Sequence, residues 1–389
     1  MDPALRRAGA AQIVRSDDAC EPRGRDNDPR TPCRYGSLSM PQPFAASELA
    51  PADAGQAVDL GALHDWLRQA GIGTSGLAVQ ALPGGRPHAA FRVDTANGVF
   101  VLRKMRPGAP ATSVRAIDRE FRVMAALADS GVPVPRTIAC CNDPAWLGTP
   151  FCLMEYVQGR RFTDPALPGL SVAQRQAIYA DIHRTLAALH RFDCAAAGLG
   201  DFGGQGNDIA GQIDRWTRQY RASETARIEA MEALIRWLPA GVPEGDEVAL
   251  VHGDFCMENL ILHPTESRIA AVIGWDQAAL GHPLADLCFY AMCWRLPPDL
   301  WRGVAGVDLT ALGIPQEHAF IEDYCRAREV DPVPVFRHWD FHLACNLFRL
   351  AAMLQGTAVH GPGDATQRGA KVAALAELGW RCAQRAGAA

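Results

Sequence analysis

The stretch VHGDFCMENLIL, Val251–Leu262, sets a histidine, a glycine and an aspartate in succession, with an asparagine five positions after the aspartate. Apolar runs flank it: VALV before (Val248–Val251), then NLILH (Asn259–His263) and RIAAVIGW (Arg268–Trp275), each short enough for a strand. A plain surface turn needs only local backbone partners for its Asp and Asn. Working outward, the preceding residues 171–237 read as helices. Ser171 with Gln174 forms a capping box, and Ile178, Ile182, Leu186 and Leu189 recur at helical spacing behind it. Downstream, Phe336, Leu343, Leu347, Leu350 and Leu354 lie in phase on a long helix expected to close the chain.

The part before residue 158 has a different character. VDLGALHDWLRQAG (Val58–Gly71) reads as a helix stopped by glycine. AAFRVDTANGVFVLRK (Ala89–Lys104) reads as two alternating strands around Asn97-Gly98. The next helix carries Ile117, Phe121 and Met124 on its apolar face, with Glu120 flanking that face. VPVPRTIAC and PFCLMEYV supply two more strands. The expected organisation is an α+β chain: a tail over 1–50 with no apolar period, read as disordered, a small β-rich lobe over 51–157, and a larger, mainly helical lobe over 158–389.

Composition narrows the function classes. The 389 residues carry a formal net charge of -5, against the basic footprint of a nucleic-acid binder. The 12 cysteines form no CxxC pair and no zinc spacing, so reduced thiols in a cytoplasmic protein are expected. No segment reaches the ~18 apolar residues of a membrane span.

The HGDxxxxN pattern resembles the catalytic loop of protein-kinase-like phosphotransferases. With GDFCMENLILHPTESRIAAVIGWDQAALGHPLADL (Gly253–Leu287), the likeness narrows to the aminoglycoside phosphotransferase and choline kinase superfamily. Within it, the chain is most similar to bacterial phosphotransferases like the kinase-like domain fused to some acyl-CoA dehydrogenases, over about residues 55–385. The resemblance implies a two-lobed protein-kinase-like fold, ATP and magnesium as cofactors, and transfer of the γ-phosphate to a hydroxyl of a small molecule, aminoglycoside-like or hydroxyacyl-CoA-like. Asp254 matches the base that orients the hydroxyl and takes its proton, and Asn259 an oxygen ligand of the metal. Arg103 or Lys104 matches the cation on the phosphates; parity allows only one of them to face that side. Glu120 matches its helix partner. Met154, Glu155, Tyr156 and Val157 match the connector whose backbone meets adenine, and Asp286 matches a support of the catalytic loop.

The chain also departs from the pattern. The family's hairpin commonly ends in Leu-Asp-Trp-Glu, with a metal-binding Asp; here Gly274 holds that position and Asp276 stands for the Glu. Gly-Asp-Pro becomes Gly281-His282-Pro283, and Gly-Gly-x-Ser-Asn becomes Gly84-Gly85-Arg86-Pro87-His88. Two expectations follow. Either Asp276, with the strand parity of residue 274, replaces the lost ligand, or the chain binds nucleotide or ligand with impaired turnover.

Overall fold

The computed structural model describes residues 14–15, 58–83, 88–106, 111–200, 202, 208–245, 247–360 and 365–388. It divides into two compact units. The first comprises the described residues up to Phe121 together with Arg136–Tyr156; the second comprises Arg122–Pro135 and the chain from Val157 onward.

The first unit is built on an antiparallel sheet of six strands: β1 (Val14–Arg15), β2 (Ala78–Ala81), β3 (His88–Thr95), β4 (Gly98–Met105), β5 (Thr137–Cys141) and β6 (Phe151–Glu155), in the order β1-β5-β6-β4-β3-β2. The β3–β4 hairpin pairs Thr95 with Gly98, so its two-residue turn is Ala96-Asn97, one residue earlier than the Asn-Gly signal suggests. The Thr95 hydroxyl explains the register: it accepts from the Asn97 N–H and donates to the Gly98 carbonyl. Alternation gives the sheet two faces. Phe91, Val93, Leu102 and Leu153 pack with Leu63 and Trp66 of α1 (Leu60–Gln69) and with Leu147 of the single-turn α3 (Pro144–Leu147). On the other parity, Met105 and Cys152 pack with Ile117 and Phe121 of α2 (Ala111–Leu127).

Cys140 and Cys152 are register partners across β5 and β6 at a Cα–Cα distance of 4.1 Å, with their side chains in contact. Of the stretch read as a disordered tail, Val14–Arg15 pair with Ala139–Cys140; the remainder lies outside the described residues. So does the phosphate-loop departure at 84–87.

The second unit is mainly helical: α4 (Val172–His190), α5 (Ile209–Ser223), α6 (Glu229–Trp237), α7 (Leu284–Ala291), α8 (Leu309–Leu312), α9 (Glu317–Arg328), α10 (Pro332–His360) and α11 (Ala365–Arg385). The capping box on α4 forms as read, with Ser171 Oγ accepting from Gln174 N and Gln174 Oε1 accepting from Ser171 N. Ile178, Ile182, Leu186 and Leu189 are all buried. Two short antiparallel sheets are inset. One has the order β10-β9-β7, from β7 (Arg160–Arg161), β9 (Leu260–Leu262) and β10 (Ile269–Val272); the other pairs β8 (Ala249–Val251) with β11 (Ala279–Gly281). The expected closing helix is α10, but α11 follows and packs along it. Its apolar face joins Val372 and Leu375 to the alanines Ala376 and Ala383, and alanines carry a weaker periodic signal than leucines.

Candidate active site

The loop between β8 and β9 carries His252, Gly253, Asp254 and Asn259. His252 is fully buried. Its Nδ1 accepts from the Asp254 N–H at 3.1 Å and its Nε2 donates to the Ile273 carbonyl at 3.0 Å, the bonding of a neutral ring protonated on Nε2. The histidine thus shapes the turn that presents Asp254. Gly253 sits at φ 79°, and a Cβ there would meet the Gln277 carbonyl oxygen at 2.5 Å, so this position admits no side chain.

Asp286, fully buried in the first turn of α7, holds the loop from behind. Its carboxylate accepts from the backbone N–H groups of both His252 and Gly253. His190 Nε2 lies 3.5 Å from it, while the other nitrogen of that ring bonds the Tyr324 hydroxyl at 2.7 Å. Burial opposes the charge on Asp286, but His190 and the N–H donors outweigh it and hold the carboxyl below its usual range.

Asp254 is in the opposite situation. Desolvation raises its pKa against the opposing effects of the Arg349 charge and the Asn259 hydrogen bond. Asn259 Nδ2 donates to the Asp254 carboxylate at 3.0 Å and to its carbonyl at 2.8 Å. The amide therefore fixes the carboxylate, and a carboxylate of raised basicity held in one orientation suits proton acceptance.

Gly274 follows β10 at φ 84° and ψ 40°, in the left-handed region. A Cβ built there would stand 2.9 Å from Asn259 Oδ1. A side chain at 274 would thus start out facing the Asn259 amide. The strand-parity argument for Asp276 does not survive the backbone: β10 ends at Val272 and Trp275–Gln277 form a 3-10 turn, so residues 274 and 276 do not share a strand face. Asp276 accepts from Gln277 Nε2 at 3.1 Å. Among the described residues no group of three or more His, Cys, Asp or Glu side chains is placed to hold a metal ion. Asn259 offers one amide oxygen and Gly274 none, so this donor set does not fit a magnesium ion held by protein carboxylates.

Arg349, on α10, was not singled out by the sequence reading. It donates to the Gly253 carbonyl, and its guanidinium lies 4.8 Å from the Phe289 ring centroid and 5.4 Å from that of Trp216. Its signal was available: one cation inside the apolar run Leu347–Ala352.

In the first unit, parity decides between the two β4 cations. Arg103 reaches α2, with Nη2 and Nε at 3.1 and 3.2 Å from Glu120 Oε2. Lys104 points to the opposite face, is 6% exposed, and has its pKa lowered by desolvation. On the connector, the N–H groups of Glu155 and Tyr156 donate to the Arg136 and Val99 carbonyls at 2.8 and 3.2 Å. Glu155 is exposed, Met154 buried, and the unit boundary falls between Tyr156 and Val157. Glu322 and Asp323, which allow an acidic acceptor contact or a polar helix face, pair with His318 and Arg326 within α9, and Asp323 also lies 3.9 Å from His183 of α4.

Acyl-CoA dehydrogenase family member 10 of Mus musculus is 40% identical over 311 residues, which is 78% of this chain and 29% of that protein. The chain thus spans under a third of that relative's length. A crystal structure from Ralstonia eutropha, of a protein assigned to the aminoglycoside phosphotransferases, superposes with a TM-score of 0.75 at 39% identity, covering 85% of this chain and 99% of that one. The aminoglycoside phosphotransferase APH(4)-Ia, in a ternary complex with AMP-PNP and hygromycin B, gives 0.55 at 18% identity over 82% of this chain and 98% of that one; this likeness is one of fold. The fold is the two-lobed, kinase-like α+β fold, and no described helix is long and apolar enough to cross a membrane. The model of the phosphotransferase enzyme family matches residues 78–342, and the chain belongs to that family.

Proposed function

We propose that this chain moves a phosphoryl group from ATP to a hydroxyl of a small molecule, with Asp254 as the base. The observation that carries this is the Asp254 carboxylate, made more basic by burial and held by Asn259 on a loop tied down by Asp286. As the acceptor oxygen forms its bond to the γ-phosphorus, Asp254 takes the hydroxyl proton and the β–γ bridging oxygen leaves with ADP. Arg103, oriented by Glu120, supplies the cation for the donor phosphates, and Lys104 does not. Met154, Glu155, Tyr156 and Val157 offer backbone groups to adenine, chiefly carbonyls, since two of the N–H groups are already used.

A second reading is favoured by Gly274. Without a carboxylate at position 274, charge developing on the phosphates loses a major stabiliser, and losses of that kind cost roughly a thousandfold in rate. On this reading the chain binds nucleotide or acceptor and turns over poorly.

Calorimetry of ATP with and without magnesium, paired with a phosphate-transfer assay over hydroxylated acceptors, separates the two. Magnesium-dependent binding with turnover establishes the first. Binding indifferent to magnesium, with no transfer to any acceptor, establishes the second. No nucleotide binding under either condition rejects the first, and leaves the second only as binding of an acceptor.

A further inference from the structure

Beside the catalytic loop, within the second unit, lies a small cavity of about 70 Å³ that opens to solvent on one side. Gly253 and Gln277 form part of its wall, which places it next to Asp254. Among the described residues, its lining includes two arginines, Arg215 and Arg349, and no aspartate or glutamate. Trp216, Ile209, Val251 and Leu280 make up much of the apolar remainder.

Three polar atoms on this wall have no hydrogen-bond partner among the described residues: Arg349 Nε, His342 Nε2 and Trp216 Nε1. His342 is 3% exposed, so its ring nitrogen is withdrawn from bulk water and pays for that unless a ligand meets it. Its ring stacks on His282 at 4.8 Å between centroids. Leu284 N–H donates to His282 Nδ1, and desolvation lowers the pKa of both rings, so both are neutral hydrogen-bonding groups at neutral pH. His282 also stands where the family motif has aspartate. The wall therefore bears cations and neutral donors where a polycationic ligand would need carboxylates.

We propose that the acceptor is a hydroxyl-bearing anion, a carboxylate or phosphate on a short apolar body, with Arg349 and Arg215 reading its charge while Trp216 covers its apolar part. This rests on the phosphotransfer reading for the word acceptor, but the binding it asserts does not need turnover. A bidentate guanidinium contact to a carboxylate or phosphate is the pairing that geometry and charge both favour here.

The test is calorimetry on the full chain without nucleotide, using 3-hydroxyoctanoate, its methyl ester, glycerol 3-phosphate and kanamycin. At least one of the two anions should bind roughly tenfold or more tightly than the ester and kanamycin, because a charged hydrogen bond is lost in the ester and reversed charge meets the amines. Comparing the two anions decides between carboxylate and phosphate. Arg215 is exposed, so Arg215→Glu leaves the core untouched, and it should weaken the anion by a similar factor. Arg349→Lys should do the same; if it disturbs the loop, the Arg215 variant still decides. Equal binding of acid and ester, tighter binding of kanamycin, no binding by either anion, or no effect of Arg215→Glu would overturn the proposal. An anion that binds and is never phosphorylated supports it while removing the phosphotransfer reading; kanamycin phosphorylated in preference to the anions does the reverse.

Discussion

At Asp254 the same burial that suits a base costs stability. Its folded pKa lies above its unfolded one, so folding favours the protonated form. That contribution is full at low pH and is lost as pH rises through the folded pKa. Asp254→Asn removes a partly buried charge and should raise the melting temperature in thermal scans, by a margin that widens as pH rises through the folded pKa and is constant above it. The same change should cut phosphate transfer by about 10²–10⁴-fold; retained transfer would show that the carboxylate is not the base. Gly274→Asp makes the converse test. The left-handed backbone costs the new residue about 1 kcal/mol, and its Cβ must push the Asn259 amide aside. In return a carboxylate faces Asn259, and Mn²⁺ affinity, followed by its spin-resonance signal, should rise. Unchanged affinity would mean that the missing carboxylate is not what limits metal binding.

Among the elements, α7 and β4 each hold a part of the site in place. Asp286 begins α7 and fastens the β8–β9 loop through two backbone N–H groups. Asp286→Ala strands those donors and the His190 ring in a dry interior, and should destabilise by about 3–5 kcal/mol, measured by denaturant unfolding. Because the folded pKa of Asp286 is depressed, the stability it confers is present above its unfolded pKa and lost as pH falls through the folded one. The variant should therefore lose the acid limb of the wild-type stability profile. On β4, adjacent cations face opposite ways. Arg103→Met should weaken nucleotide binding and leave Glu120 buried without that cation. Lys104→Met replaces a buried ammonium with no carboxylate partner among the described residues, and should raise the melting temperature with nucleotide affinity unchanged. If Lys104→Met alone abolishes nucleotide binding, the assignment by parity is wrong.

On the scale of the whole molecule, the match with the Mus musculus relative takes in 78% of this chain and 29% of that protein, so what the two share is one module of that larger protein. Its two units have distinct cores, one of sheet against helix and one of helices around short strands. α11 adds an apolar face against α10, and Gly379 permits close approach there: a Cβ would meet the Leu234 and Leu347 side chains at 3.2 Å. Gly379→Leu should lower the melting temperature by overpacking, by about 1–3 kcal/mol in unfolding free energy. An unchanged unfolding midpoint would show that α11 docks too loosely to matter.

Local pattern determined much of this protein. The HGDxxxxN spacing, the capping box at Ser171, the alternation through β3 and β4, and the flanking place of Glu120 all follow from nearest-neighbour geometry, and each can be read from a dozen residues or fewer. The departure at Gly274 was equally legible as a missing carboxylate. Tertiary structure alone decided what depends on distant partners. It assigned Arg103 rather than Lys104 to Glu120, because register with β6 and the position of α2 are not local properties. It ended β10 before Gly274 and so removed Asp276 from the parity argument. It brought Arg349, ninety-six residues away in sequence, onto the Gly253 carbonyl, and it gathered Arg215, His282 and His342 on one wall that has no carboxylate among the described residues. Sequence spacing encodes contacts along one element; the chemistry of a cavity wall arises from several elements at once, and only folding brings those together.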